Sequence, residues 1–265
     1  MKIDLDNLNI KKVNAQYPIG YIDNFLSEEN CKKLFDEIYA FDAYDDLVMN
    51  GRMRVNKGSQ KFKNYLKNSP NLFSLYSKLN NQELFLSMKE KLNALKKENS
   101  WYPELEDFNF SKEGYGEQKF DLIKYFRKSW FISKFFKKTV NLDVDFSRSK
   151  KGYFRKAHRD RDTRIISFLL YLNTIDKKLG GEFEIYKTKE QIKDIAMLKR
   201  FPESDKISLV EKFPPKAGQL FLFVSTPDSY HGVSEFLSEK KDRVFIYGSY
   251  SLDRKVNWKN QWSNN

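Results

Sequence analysis

"GYFRKAHRDRDTRIISFLLYLN", residues 152–173, contains two strand-like runs and one of only two histidines in the chain. It opens a series that continues with "GEFEIYK", "KISLVEKFPP", "GQLFLFVS", "YHGVSEF" and "RVFIYGSYS". Turn signals separate several of these runs: Asn173, Gly180–Gly181, Pro214–Pro215 with Gly218, and Pro227–Asp228. Many short strands at such spacing predict a β sandwich or barrel after residue 142. The run from Lys187 to Lys206 reads as an insertion with some helix.

Upstream the pattern is helical. "YPIGYIDNFLSEENCKKLFDEIYAF", residues 17–41, predicts a short strand and then a helix. Ser27 is the expected N-cap, Glu28 and Glu29 suit the first turn, and Leu26 with Cys31 forms a hydrophobic staple. Cys31, Leu34, Phe35 and Ile38 share one face, which assigns Cys31 to core packing rather than to a reactive thiol. In "NNQELFLSMKEKLNALKKE", residues 80–98, Asn80 and Glu83 form a capping-box pattern. Leu84, Met88, Leu92 and Leu95 form its buried stripe. Residues 42–70 show no clean period and are expected to form a loop. With no internal repeat or low-complexity linker, residues 1–265 are expected to be one domain. Within it, 1–141 supply helical support and a substrate region, 142–252 the β core, and 253–265 a tail.

A chain of 265 residues with 23 phenylalanines can bury a sizeable core. No apolar run approaches the roughly 20 residues needed to span a bilayer. The opening "MKIDLDNLNIKK" lacks the apolar region of a secretory signal, and the lone Cys31 cannot form an internal disulfide. A cytoplasmic location is the expectation. The formal charge of +12 suits either an anionic partner or a lysine-rich surface, and the mixing of Lys with Glu and Asp favours the surface. In residues 119–138, "KFDLIKYFRKSWFISKFFKK", seven basic residues alternate with aromatics. The pattern suits single-stranded nucleic acid, or an amphipathic element facing the core. Without a recognisable nucleic-acid signature the second reading is preferred, and no specific nucleic-acid partner is expected.

His158 and Asp160 stand two apart, so in a strand both side chains point to one side. His231 heads another strand-like run. Two histidines and a carboxylate on a β scaffold are the parts of a facial triad for non-haem Fe(II). A zinc hydrolase can use the same set, but H-E-x-x-H is absent. Arg243 enters the apolar run "RVFIYGSYS". A buried guanidinium needs a partner, either an internal Asp or Glu or a dicarboxylate cosubstrate.

From about Asp143 to Leu252 the chain resembles the iron(II)- and 2-oxoglutarate-dependent oxygenases, particularly their prolyl-4-hydroxylase-like branch. The resemblance rests on His158, Asp160, His231 and Arg243, and on Gly152 six places before the first histidine. "LLYLN", "GGEFEIY", "PPKAGQLFLF" and "HGV" add to it. It implies an α+β, mainly β fold: a double-stranded β-helix, or jelly roll, supported by N-terminal helices. It implies Fe(II) on His158, Asp160 and His231. It places the distal carboxylate of 2-oxoglutarate on Arg243 and Tyr171. O2 is the oxidant, succinate and CO2 are products, and ascorbate is compatible. Asp160, which related halogenases replace by a small residue, implies hydroxylation. A tyrosine that often stands three before the motif glycine is Ser149 here, with Tyr153 as a substitute. The first substrate reading is a small molecule or biosynthetic intermediate, and the second is a peptidyl proline. A third reading is a non-catalytic basic binding protein. Arg52, Arg54, Lys57, Lys61 and Lys63, within residues 50–66, are read as a solvated loop in preference to a site for an acidic substrate. Oligomeric state is left open.

Overall fold

The computed structural model describes residues 9–48, 51–96, 100–103, 108–111 and 137–259. The N-terminal elements are β1 (Lys11–Lys12), β2 (Ile19–Ile22), α1 (Glu28–Tyr39), β3 (Asp46–Val48), β4 (Arg52–Asn56), α2 (Gln60–Asn68), α3 (Pro70–Leu79), α4 (Gln82–Asn93), β5 (Tyr102–Pro103) and β6 (Phe108–Phe110). Strands then dominate: β7 (Lys138–Ser149), β8 (Arg155–His158), β9 (Arg164–Tyr171), β10 (Phe183–Thr188), β11 (Ile207–Phe213), β12 (Leu220–Val224), β13 (His231–Val233), β14 (Arg243–Leu252) and β15 (Trp258–Lys259).

The larger sheet runs β1-β2-β12-β9-β14-β7-β4-β3, with β6 parallel to β7. The smaller runs β11-β10-β13-β8. From β7 to β14 the chain passes between these two sheets at each step, except at the β10–β11 pair, and β15 then pairs with β5 in a separate two-stranded sheet. "LFLFV" of β12 is buried throughout because it is covered on both sides. Phe221 and Phe223 pack with Phe183 and Ile185 of the smaller sheet, and the Phe183 and Phe221 rings are 5.0 Å apart. Leu220, Leu222 and Val224 alternate to the other face and join Leu34, Phe62, Leu75 and Met88 of the helices.

The helix from residue 28 forms as expected, with Ser27 Oγ accepting from the Asn30 amide. Cys31 is buried, and burial pushes its thiol pKa up to about 11. Gly218, at φ +79°, sits against the start of α1, where a Cβ would come within 2.3 Å of the Leu26 carbonyl oxygen. The cap of α4 is Asn81, not Asn80. Asn81 Oδ1 accepts from the amides of Glu83 and Leu84, whereas Asn80 closes α3 by donating its amide to the Tyr76 carbonyl. Leu84, Phe85, Met88 and Leu92 are buried in α4, and Leu95 is partly buried beyond its end.

Residues 42–70 are not the expected loop. They hold β3, β4 and α2 and lead into α3. The period was hidden because β4 buries only Val55, and α2 buries only Phe62 and Leu66. β4 is held by its ladder to β7, with Arg52 opposite Ser149 and Val55 opposite Phe146. The 187–206 insertion carries short 3-10 turns at Ile195–Met197 and Ser204–Lys206. Most of the basic-aromatic segment, residues 119–136, lies outside the described residues. Among those described, no helix is long and apolar enough to cross a membrane.

Candidate active site

β8 and β13 are neighbours in the smaller sheet, and their register puts His231 opposite His158. Asp160 follows two residues after His158, just past the end of β8. One ligand atom from each of the three residues lies within 4.8 Å of the others, and all three residues are buried. The two imidazole centroids are 4.5 Å apart. His158 Nδ1 lies 2.9 Å from the Lys156 carbonyl oxygen, and His231 Nδ1 lies 3.0 Å from that of Ser229. A carbonyl can only accept, so each Nδ1 carries the hydrogen and each Nε2 presents a lone pair. Burial lowers the pKa of both rings, and the nearby His231 lowers that of His158 further. Neutral imidazole with a free Nε2 is the metal-binding form.

Asp160 is held by residues the sequence reading did not single out. Its Oδ1 accepts from Arg164 Nη1 at 2.6 Å and from the Tyr247 hydroxyl at 2.9 Å. Its Oδ2 accepts from Ser167 Oγ at 2.5 Å and from Tyr247 at 2.7 Å. Burial opposes ionisation, but Arg164, the two histidines and Ser167 outweigh it and hold the carboxyl well below its usual range. Two sequence signals pointed to this shell. Ser167 is polar within the apolar run "RIISFLLY", and Tyr247 shares the side of β14 that carries Arg243 and Phe245.

Arg243 is fully buried. Its Nη2 donates to the Tyr171 hydroxyl at 3.1 Å, and the guanidinium carbon lies 4.2 Å from the Phe245 ring centroid. Among the described residues, Nε and Nη1 have no hydrogen-bond partner and no carboxylate pairs with Arg243. The guanidinium lines the same cavity as His158, Asp160 and His231, with a volume of about 280 Å³. Tyr171 touches Arg243 but does not line that cavity. Tyr153 lines it, whereas Ser149 does not.

Residues 50–66 are not the solvated loop that the sequence predicts, since they carry β4 and most of α2. Arg52 and Arg54 line the cavity from β4. Arg52 Nη2 donates to Asp145 Oδ1 at 2.6 Å and to Ser147 Oγ at 2.8 Å. Lys57 and Lys61 donate to the carbonyls of Leu142 and Tyr44. These basic groups are tied down because the ladder to β7 brings the segment against the core.

Residues 144–250 match the family model described as the 2OG-Fe(II) oxygenase superfamily. Mouse prolyl 3-hydroxylase OGFOD1 is 29% identical over 174 residues, which cover 64% of this chain but only 29% of that protein. The structure of a prolyl 4-hydroxylase from Phytophthora capsici superposes with a TM-score of 0.51 at 15% identity, covering 93% of this chain and 61% of that one. Residues 144–250, which carry both histidines, Asp160 and Arg243, thus match the 2OG-Fe(II) oxygenase superfamily, and the chain has a prolyl-4-hydroxylase-like fold.

Proposed function

We propose that this chain is an Fe(II)- and 2-oxoglutarate-dependent hydroxylase in which His158, Asp160 and His231 hold the iron and Arg243 holds the distal carboxylate of the cosubstrate. The passage of strands between the two sheets supports reading the core as a double-stranded β-helix. One observation carries the assignment: a buried guanidinium with two unpartnered nitrogens lines the same cavity as three converging ligand atoms. Leaving such a cation unpaired is costly, and a dicarboxylate would satisfy it in two-pronged geometry.

Bound Fe(II) and 2-oxoglutarate supply the oxidising chemistry, in which O2 and 2-oxoglutarate give succinate and CO2 while one oxygen atom enters a C–H bond. The chain's residues prepare that chemistry. The Lys156 and Ser229 carbonyls set the histidine tautomers. Tyr247, Ser167 and Arg164 fix the carboxylate of Asp160. A carboxylate at this position leaves no ligand vacancy for halide, which supports hydroxylation. Leu169, Phe183 and Phe245 give the cavity apolar wall that limits water.

The substrate is read first as a small molecule or biosynthetic intermediate, since an arginine-rich cavity suits a charged molecule better than an apolar pyrrolidine ring. The similarity to a mouse prolyl 3-hydroxylase supports peptidyl proline as the second reading. Anaerobic addition of Fe(II) and 2-oxoglutarate should produce the visible charge-transfer band of the chelate, and air should convert 2-oxoglutarate to succinate. His158→Ala or His231→Ala should abolish both signals. A folded double variant that keeps the band would show that the metal lies elsewhere. A substrate screen by mass, seeking one added oxygen atom, separates the two substrate readings.

A further inference from the structure

Among the described residues seven arginines line the cavity, but only two carboxylates do. Asp145 pairs with Arg52 at 2.6 Å and with Arg54 at 3.7 Å, and Asp160 pairs with Arg164 at 2.6 Å. Arg243 has its role in the cosubstrate site proposed above. Arg155, Arg161 and Arg200 remain. Their guanidinium groups make no hydrogen bond or ion pair among the described residues, and Arg161 and Arg200 are exposed.

These three cations are gathered around the metal ligands from separate segments. Arg155 begins β8, three residues before His158, and Arg161 follows Asp160 directly. Arg200 arrives from the 187–206 insertion. Phe201 connects the groups. Its ring is 51% exposed and lies 5.3 Å from the Arg200 guanidinium carbon and 5.8 Å from that of Arg155. It also stacks on the His158 imidazole at 6.0 Å. Burial, then the charges of Arg155 and Arg161, lower the pKa of Arg200, as expected for neighbouring like charges. An anion at this point would offset the mutual repulsion and accept from planar guanidinium donors suited to phosphate and carboxylate.

Resting on the oxygenase reading of the cavity, we propose that the oxidised substrate carries a phosphate or carboxylate group, held at the solvent-facing rim by Arg155, Arg161 and Arg200 beside Phe201. This anion subsite is distinct from Arg243. It anchors the substrate by its charged end, with the rest of the molecule extending toward His158 and Asp160. Phe201 offers a flat apolar surface to whatever joins the two ends.

The test uses protein loaded anaerobically with Fe(II) and 2-oxoglutarate and titrated calorimetrically at constant ionic strength. Phenyl phosphate and benzoate probe the two anion types, with benzyl alcohol as the neutral control. Saturable binding of one or both anions is expected, and their ranking identifies the preferred group. Arg155→Gln/Arg200→Gln should weaken that binding at least tenfold, and Arg161→Gln should weaken it to a lesser degree. Lys32→Gln, on the exposed face of α1, should leave it unchanged. The 2-oxoglutarate midpoint, read from the chelate band, should not move in the rim variants. Equal anion affinity in a folded double variant, or equally tight benzyl alcohol binding, would overturn the proposal. Failure of the chelate band would instead overturn the oxygenase reading. The same titrations on unloaded protein then decide the anion subsite separately, by whether the double variant loses a binding event.

Discussion

Arg243 concentrates the chemical argument in one side chain. It is fully buried, partnered at Nη2 by the Tyr171 hydroxyl and unpartnered at Nε and Nη1. In the proposed complex, Arg243→Ala would leave the cosubstrate carboxylate buried without its partner. Breaking a buried pair costs about 3–5 kcal/mol, so 2-oxoglutarate affinity should fall more than a hundredfold at about 1.4 kcal/mol per factor of ten. Arg243→Lys keeps the charge but loses the two-pronged geometry, and should weaken binding by less. Iron binding without cosubstrate should survive in both. The measurement is a 2-oxoglutarate titration of folded, iron-loaded variants. An unchanged midpoint in Arg243→Ala would mean that another group holds the cosubstrate, or that 2-oxoglutarate is not the ligand. At this scale the apolar run around Arg243 already called for a carboxylate partner and pointed to a cosubstrate ahead of an internal Asp or Glu, and among the described residues no internal carboxylate pairs with it.

The elements between residues 42 and 79 show why local pattern can mislead. α2 has nine residues and only two buried positions, so its six polar residues mask the one-turn repeat of Phe62 and Leu66. Its Ser59 cap and the proline opening α3 are the local signals that mark these helices. α3 lacks a side-chain cap of its own, and Glu37 of α1 accepts from the Asn71 and Leu72 amides instead. Such a cap is invisible to neighbouring sequence because its partner is 34 residues away. The test of α2 is Phe62, whose ring stacks on Phe146 of β7 at 5.0 Å and meets Tyr76 of α3 at 5.7 Å. Phe62→Ala should cost about 3–5 kcal/mol, whereas Ser59→Ala should cost about 1 kcal/mol. Urea unfolding at unchanged slope measures both. A Phe62→Ala loss no larger than that of Ser59→Ala would contradict the packing of α2 on the larger sheet.

For the molecule as a whole, a net charge of +12 is divided between a mixed surface and a cavity with a local excess of arginine. The mixed surface should give weak, sequence-blind association with nucleic acid. Its logarithmic affinity should fall steeply and linearly with logarithmic salt concentration, as counterion release requires. Filter-binding titrations over a salt series, with several unrelated sequences, test this expectation. Tight binding to one sequence at physiological salt would show that the basic-aromatic segment or the cavity rim reads nucleic acid. The sheets also explain the burial of polar groups at this scale. Ser167, Ser225, Asp160 and Tyr247 are linked by hydrogen bonds between the two halves of the core, so their burial does not leave them unsatisfied.

The local parts of this protein were legible in its sequence. The two-residue spacing brings Asp160 near His158, although Asp160 lies just past the end of β8, capping chemistry marks Ser27, and apolar runs with turn residues mark the strands of the core. These features depend on neighbours a few residues apart. Tertiary structure decided what those parts meet. The pairing of β8 with β13 sets His231 opposite His158, and Tyr247 reaches Asp160 from 87 residues away. The ladder of β4 on β7 turns a polar, apparently unstructured stretch into a cavity wall. Whether a charge is paired also depends on that assembly: Arg52 and Arg164 find carboxylates across or within it, and Arg243 does not. Pairing, register and burial are sums over distant segments, which is why composition and period could show these cations but not which of them are left to bind a ligand.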